Sequence, residues 1–358
     1  MGDVPGITVN HETITTVSRP GMAGKVAIIG AFDSEINDPI NVSNITEAYE
    51  KLGNASTYNG NSCIPYLFRK EGGASSLLAV NITTKTGTGD NETINTELTT
   101  AKLESALKKI KGEDFHILFI ADTVNDAGLT MINTFLEESS EIKRPNGLII
   151  PLTRDNDTNY KTTVDLFGDC LYYLNTQQLS VDDTELNLIQ STAHICGLIA
   201  GASVSKTLTM KQIDDVTALT DEYTFENGDL GKKLVNMGIP VLKYADRENQ
   251  KIVCVNSELP NGYDLYINRT RDYVVRAFNL EDVLGEKLGN KGKEKTLTAI
   301  KSILAEVKKE CVDTLELLED IQYTVEKTSN KCVDVFIEDL VFAGIITHIN
   351  VHIKLKVV

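Results

Sequence analysis

The stretch SRPGMAGKVAIIGAF, residues 18–32, holds glycines, a Gly-Lys pair and an apolar run, the ingredients of a phosphate-binding loop. Its spacing excludes that reading. Such a loop needs Gly, four residues, then Gly-Lys-Ser/Thr, so that backbone N–H groups cradle phosphates and the hydroxyl holds Mg²⁺. Counting back from Gly24 puts Arg19 where the first glycine must stand, and counting forward puts Val26 where the hydroxyl must be. The order is reversed as well, because the apolar run 26–29 follows the loop instead of preceding it. The stretch reads as a turn at Pro20-Gly21 feeding a buried first strand.

Outward from that strand, residues 25 to about 244 alternate short apolar runs with amphipathic segments. Strands are predicted at 26–32, 77–82, 115–121, 147–152 and 170–174. Helices are predicted at 45–52, 99–110, 129–136 and 186–200. The first of these follows Asn44 as N-cap and has Glu47 three residues on, a capping-box arrangement. Short apolar strands alternating with helices imply an α/β fold with a largely parallel, doubly wound sheet.

Beyond about residue 256 the pattern becomes α+β. Helices are predicted at 271–288 and 296–307, with 315–325 as a third, followed by strand-like runs at 332–342 and 346–357. The Pro260-Asn-Gly turn marks the expected junction, within 256–262. The expected organisation is therefore an arm over 1–20, an α/β domain over 21–255, an α+β domain over 256–345 and a strand arm over 346–358. The last arm alternates cleanly. Ile349, Val351, Ile353, Leu355 and Val357 fall on one side, with His348, Asn350, His352, Lys354 and Lys356 on the other. At the other end Ile7 and Val9 alternate with Thr8 and Asn10. An exposed strand edge is an aggregation hazard, so these arms need partners.

Composition narrows the function. The chain of 358 residues is 41% hydrophobic and 24% charged, ordinary for a globular protein with room for two or three domains. A net charge of −16 weighs against nucleic-acid binding. No apolar run approaches a membrane span, and the start Met1-Gly-Asp-Val-Pro lacks a signal segment, so the expectation is cytoplasmic synthesis with no membrane partner. The six cysteines are scattered, which favours buried reduced thiols. Sequons such as Asn41-Val-Ser read as chance in an Asn- and Thr-rich chain.

Catalytic and metal motifs are sparse. His348 and His352 would lie about 13 Å apart on a strand, too far to share a metal. His116 opens a predicted buried strand and reads as a structural histidine. The stretch STAHICGLIAG, residues 191–201, is reminiscent of the helix that follows the nucleophile in subtilisin-type proteases, but the nucleophile's place, five residues before His194, is held by Ile189. Asp155-Asn-Asp157-Thr-Asn159 starts like a calcium loop but lacks both the glycine and the glutamate such a loop needs, with Leu166 at the latter position, so it reads as a polar surface loop. No GxGxxG, GxSxG or CxxC occurs. No catalytic, cofactor or metal residues are assigned.

Taken in order, four segments resemble contractile phage tail sheath proteins. They are the PG-I-x-V arm, GKVAIIGAF, NITEAYEKLG and YLFRKEGGASSLLAVNI. TAHICGLIAGASVSKTLTMKQIDDVTAL is similar to a segment of sheath proteins from Gram-positive phages and defective prophages, and INRTRDYVVRAFNLEDVLGEKLGNKGKEKTLTAIKSIL to their C-terminal region. The resemblance implies a subtilisin-like domain without catalysis, an inner C-terminal domain facing a tail tube, and arms that add strands to neighbouring subunits. Expected partners are further copies of the chain, tube protein, baseplate and tail terminator. The expected location is the host cytoplasm during assembly and then a virion tail or released tail-like particle. Residues 285–309 carry seven lysines against three glutamates, and Lys287, Lys291, Lys293 and Lys295 are the candidate tube-facing residues. A hydrolase on a subtilisin-like or other doubly wound fold is the alternative, and a monomeric adaptor a third reading.

Overall fold

The computed structural model describes residues 24–34, 36–69, 72–86, 93–141, 144–152, 157–213, 215–277, 292–327 and 333–342. In chain order the elements are β1 (Lys25–Gly30), β2 (Ile40–Val42), α1 (Ile45–Leu52), α2 (Asn59–Phe68), β3 (Ser76–Asn81), β4 (Thr84–Thr86), β5 (Thr93–Asn95), α3 (Thr100–Ile110), β6 (Ile117–Ile120), α4 (Asp126–Glu141), β7 (Gly147–Pro151) and α5 (Asp157–Phe167). There follow β8 (Leu171–Asn175), β9 (Leu179–Val181), β10 (Thr184–Glu185), α6 (Leu188–Gly201), β11 (Val216–Leu219), α7 (Leu230–Asn236), β12 (Leu242–Asp246), β13 (Lys251–Cys254), α8 (Leu265–Ala277), α9 (Gly292–Lys309), β14 (Asp320–Lys327) and β15 (Val333–Val341). The chain forms two compact units, Met1–Glu281 and Asp282–Val358.

The first unit is built on a six-stranded sheet in the order β2-β3-β1-β6-β7-β8. All its pairings are parallel except β2 against β3. Successive strand residues point to opposite faces, so a strand buried on both sides must be apolar throughout. β1 meets that demand. Val26 and Ile28 enter one core with Cys63, Ile64 and Leu67 of α2 and Ala193 and Ile195 of α6. Ala27 and Ile29 enter the other with Leu103 and Leu107 of α3, Leu129 of α4 and Val164 of α5. Helices therefore cover both faces of a mostly parallel sheet, as the alternating pattern implies. Each fully buried Val, Leu or Ile contributes roughly 1.5–3 kcal/mol, which makes β1 the centre of both cores.

Gly24, which mimics a phosphate loop in the sequence, has a packing reason instead. A Cβ there would lie 2.2 Å from the carbonyl oxygen of Ala200, so the glycine lets the end of α6 close onto the start of β1. Asn44 caps α1, its Oδ1 accepting from Glu47 N at 2.9 Å, while the Glu47 carboxylate accepts from Ser43 N, one residue outside a strict capping box.

Four sequence expectations change. The first unit does not end near residue 255, because α8 packs into it through Arg269, Asp272 and Arg276 and the unit continues to Glu281. Residues 315–325 do not form a helix. A π-type turn over Glu310–Thr314 closes α9, and the period-two apolar residues Ile321, Tyr323 and Val325 make β14. Asp157-Thr-Asn159 is the first turn of α5, not surface loop. Finally α2, absent from the sequence reading, forms despite Pro65 and a run of weak helix formers, because Cys63, Ile64 and Leu67 are fully buried against the sheet.

In the second unit α9 buries Ile300, Leu304 and Val307 together with Cys311, Leu317, Leu318 and Ile321. β14 and β15 form an antiparallel ribbon over their whole length, interrupted by one irregularity after Gln322. Among the described residues the ribbon has no third strand.

Candidate functional site

In doubly wound sheets ligands bind beyond the carboxyl ends of the strands, where the strand order reverses. The chain runs from β1 to β3 on one side and returns to β6 on the other, so that place lies beyond Gly30 and Ile120. It is filled. Gly60 N donates to the Ala31 carbonyl at 2.9 Å, seating α2 directly on the end of β1. A Cβ on Gly60 would come within 2.5 Å of that same oxygen. Two asparagines consume the remaining polar capacity. Asn81 accepts from Phe32 N (3.0 Å) and Thr83 N (2.8 Å) and donates to the Ser34 carbonyl (2.8 Å). Asn61 accepts from Asp33 N (2.7 Å) and donates to the carbonyls of Leu52 (2.8 Å) and Gly53 (2.7 Å). Every side-chain amide group here satisfies backbone, and none is left to hold a substrate.

His194, the residue that evokes a protease, lies fully buried on α6, an element started by a complete capping box between Asn187 and Gln190. Its Nε2 is 3.0 Å from Asp215 Oδ1. Arg69 Nη2 lies 2.8 Å from both Asp215 oxygens. Burial, reinforced by the Arg69 charge, holds His194 below the usual imidazole range. Burial alone would raise Asp215, but the His194 bond and the Arg69 cation outweigh it and hold the carboxyl low. The arrangement therefore keeps a neutral imidazole beside a carboxylate salt-bridged to arginine. A nucleophile is missing. Ile189 is packed against the core, Ser191 Oγ accepts from Leu179 N at 3.0 Å, and burial pushes the thiols of Cys63 and Cys196 far up. Among the described residues no group of three or more His, Cys, Asp or Glu could hold a metal ion.

Sequence reasoning missed the seam that fixes α8. Arg269 donates to the carbonyls of Ala202 (3.1 Å) and Ser203 (3.2 Å), at the end of α6. Asp272 accepts from the Tyr172 hydroxyl at 2.7 Å and pairs with Arg271 at 2.9 Å. Arg276 donates to the carbonyls of Pro145 and Phe115 and to Asp114. Asp264 caps the helix through Tyr266 N, and its second oxygen accepts from Thr207 (2.9 Å), Thr209 (3.0 Å) and Ser257 (2.6 Å). Burial raises both the Asp272 carboxyl and the Tyr172 phenol. The spacing of 269, 272 and 276 marks one helical face, but charged residues on a face ordinarily read as solvated, which is why the seam is silent in sequence.

Of the arm residues, Ile7, Val9, Ile349, Val351, Ile353, Leu355 and Val357 lie outside the described residues, as do Lys287 and Lys291. Lys293 and Lys295 fall in the first turn of α9.

A filled crevice and a histidine without a nucleophile leave a body whose chemistry is all internal. Residues 96–249 match the model of the phage tail sheath protein central domain. That stretch is similar to the phage tail sheath family in its central domain. The match is to a structural sheath protein and not to an enzyme family. No match was found among curated protein sequences. Among solved structures, the sheath tail protein of Listeria innocua is 13% identical, with 90% of this chain and 93% of that chain covered at a TM-score of 0.64. That of Desulfitobacterium hafniense is 12% identical, covering 91% and 96% at 0.67. The helical sheath of the anti-feeding prophage in its contracted state is 13% identical, covering 99% of each chain at 0.63, and a chain of the same particle's baseplate is 12% identical, covering 100% of each at 0.64. At these identities the likeness speaks for the fold, which this chain shares over nearly its whole length.

Proposed function

We propose that this chain is a sheath subunit that polymerises as a helix around a tail tube, that its terminal arms add strands to neighbouring copies, and that contraction drives the tube through a cell envelope. The observation that carries the arm exchange is the ribbon β14–β15. A two-stranded ribbon is marginal by itself, and three or more strands with an apolar face are the stable arrangement. Ile321, Tyr323 and Val325 share one face with their partners Leu340, Ile337 and Val335. Gln322, Thr324, Glu326, Phe336 and Glu338 are exposed. An arm whose apolar residues are Ile349, Val351, Ile353, Leu355 and Val357 suits the first face, and its Lys354 and Lys356 suit the glutamates of the second. Opposite charges on adjoining strands contribute roughly 0.2–1 kcal/mol per pair, enough to choose register, while backbone bonds and burial supply the affinity. The N-terminal arm, with Ile7 and Val9, takes the other edge.

The sheet order, with α2 and α6 on one face and α3, α4 and α5 on the other, supports a subtilisin-like framework for the body. Lys287, Lys291, Lys293 and Lys295 face an acidic tube through exposed ion pairs of about 0–1 kcal/mol each, weak enough to release when the sheath contracts. Baseplate and terminator proteins cap the polymer, which assembles in the host cytoplasm before it forms part of a tail or tail-like particle. Contraction releases free energy by burying more inter-subunit surface in a state held back kinetically.

The test is deletion of residues 349–358. The expected result is normal circular dichroism with loss of sheaths in negative stain and sedimentation. Normal polymer after truncation removes the arm from the mechanism, and an unfolded product makes it an ordinary part of its own unit. Changing the four lysines to Glu is expected to give sheaths that form without a tube inside. Tube-filled particles at the wild-type frequency would move the tube contact elsewhere.

A further inference from the structure

Behind α8 lies a small cavity lined by His116, Tyr172, Val204, Arg269, Asp272 and Arg276, among others, all within the first unit. The space open to the centre of a water-sized occupant is about 10 Å³. One water needs roughly 10–15 Å³ by that measure, together with two to four polar partners. The lining supplies them, as two guanidinium groups, one carboxyl and the phenols of Tyr172 and Tyr273 meet there.

His116 decides what the occupant does. Its Nδ1 is shut off from solvent and has no hydrogen-bond partner in the protein. A buried polar atom left that way costs about 1–3 kcal/mol, so such atoms find a partner or an ordered water. Its backbone cannot move to one, because His116 N donates to the Lys25 carbonyl at 2.9 Å and its own carbonyl accepts from Gly147 N at 3.0 Å, locking the residue between β1 and β7. Three of the neighbouring polar groups are already directed elsewhere. Arg269 turns to Ala202 and Ser203, Arg276 to Pro145 and Asp114, and Asp272 to Tyr172 and Arg271.

We propose that this cavity is a binding site for one ordered water molecule, which donates to His116 Nδ1 and accepts from the arginines of the lining, completing the polar seam between α8 and the sheet. Water fits better than a halide on two grounds. A halide is larger than the space, and it cannot donate to a neutral imidazole nitrogen. The imidazole stays neutral because burial first, and the Arg276 charge second, hold it far below its ordinary range. The water would thus act as an adaptor that lets a fixed ring serve a helix whose own side chains are committed to carbonyls.

Two measurements decide the matter on the full chain. The first is an experimental density map that resolves ordered waters elsewhere in the body. The expected result is a single water-sized peak within hydrogen-bond distance of His116 Nδ1. A dry cavity, a peak out of reach of Nδ1, or a heavier peak that follows the halide in the buffer each overturns the proposal. The second is the ¹⁵N shift of the His116 ring in protein labelled at histidine. Val204→Ile adds one methyl group to the lining and should expel the water, moving the Nδ1 resonance toward that of a nitrogen without a hydrogen bond while the backbone spectrum stays native. An Nδ1 resonance that is already free in the wild type, or one unmoved in a folded Val204→Ile, shows that no water is bound there.

Discussion

Replacing Asp215 should expose how the body is fastened. The residue sits at φ +69°, in the left-handed region, and its carboxylate holds Arg69, whose side chain is 4% exposed, and His194, at 1%. Asp215→Ala removes both Arg69 bonds and the His194 bond, and it places a Cβ-bearing residue without a compensating side chain at positive φ. Breaking a buried ion pair from one side costs about 3–5 kcal/mol. Asp215 keeps 29% of its side chain in solvent, so water reaches the arginine and the lower end applies, about 3 kcal/mol. The left-handed conformation adds about 1–2 kcal/mol for alanine that glycine does not incur. Asn tolerates that conformation and keeps one acceptor oxygen, so Asp215→Asn should lose only about 1–2 kcal/mol. The expected order of stability is wild type, Asn, Gly, Ala, read from urea unfolding followed by circular dichroism. An alanine variant within 0.5 kcal/mol of wild type would refute both the strain and the ion-pair reasoning, and one more stable than the glycine variant would refute the strain reasoning.

Acid should weaken the body through His116 and His194. His116 and His194 are both held below the ordinary value by burial, so the unfolded chain takes up protons that the folded one refuses. Stability is then complete above about pH 6.5 and falls below it, by about 1.4 kcal/mol per pH unit for His116, whose folded value drops to about 3, with His194 adding a loss of the same sign. Asp215, whose folded carboxyl is depressed, adds to the loss at lower pH, once the value drops through the ordinary carboxylate range. Urea midpoints between pH 7 and pH 5 test this, and a flat profile would contradict it. Gly201→Ala should be far worse than an ordinary helix substitution, because the new Cβ would sit 1.5 Å from the Gly72 carbonyl oxygen. A loss above the usual 1–3 kcal/mol of overpacking is expected in thermal melts, and a melt within a degree of wild type would mean the two segments do not approach so closely.

The parts of the fold legible in sequence are those where burial imposes a period. β1, β3, β6, β7 and β8 are apolar on both faces and were expected within two residues of their observed ends. α1 was legible to the residue because its cap, Asn44, and its apolar face agree. What escaped had local signals that tertiary packing overrides. α2 carries Pro65 and begins with Asn-Gly-Asn-Ser, and it is helical because its apolar side completes a core. β14 looked helical while Leu315, Leu317 and Leu318 were read with it, and only the turn at Glu310–Thr314 separates those leucines from the alternating strand. The candidate arms lie outside the described residues, and alternation in sequence names no partner for them.

The polar interior explains why this body carries enzyme-like residues without enzyme chemistry. A catalytic site keeps some polar atoms unsatisfied by protein so that a substrate can complete them. Here the corresponding atoms are turned inward. Asn61 and Asn81 bind the backbone at the strand ends, Arg69 and His194 converge on Asp215, and three hydroxyls converge on Asp264. Each knot joins segments far apart in sequence. Asp215 ties residues 69 and 194 to the start of β11, and Asp264 ties the start of α8 to the loop after α6. Such networks are costly when broken, so they favour motion of the body as a unit over deformation within it. A sheath subunit that rotates as a rigid body has a use for that property, and one that bound a substrate in the same crevice would have to give it up.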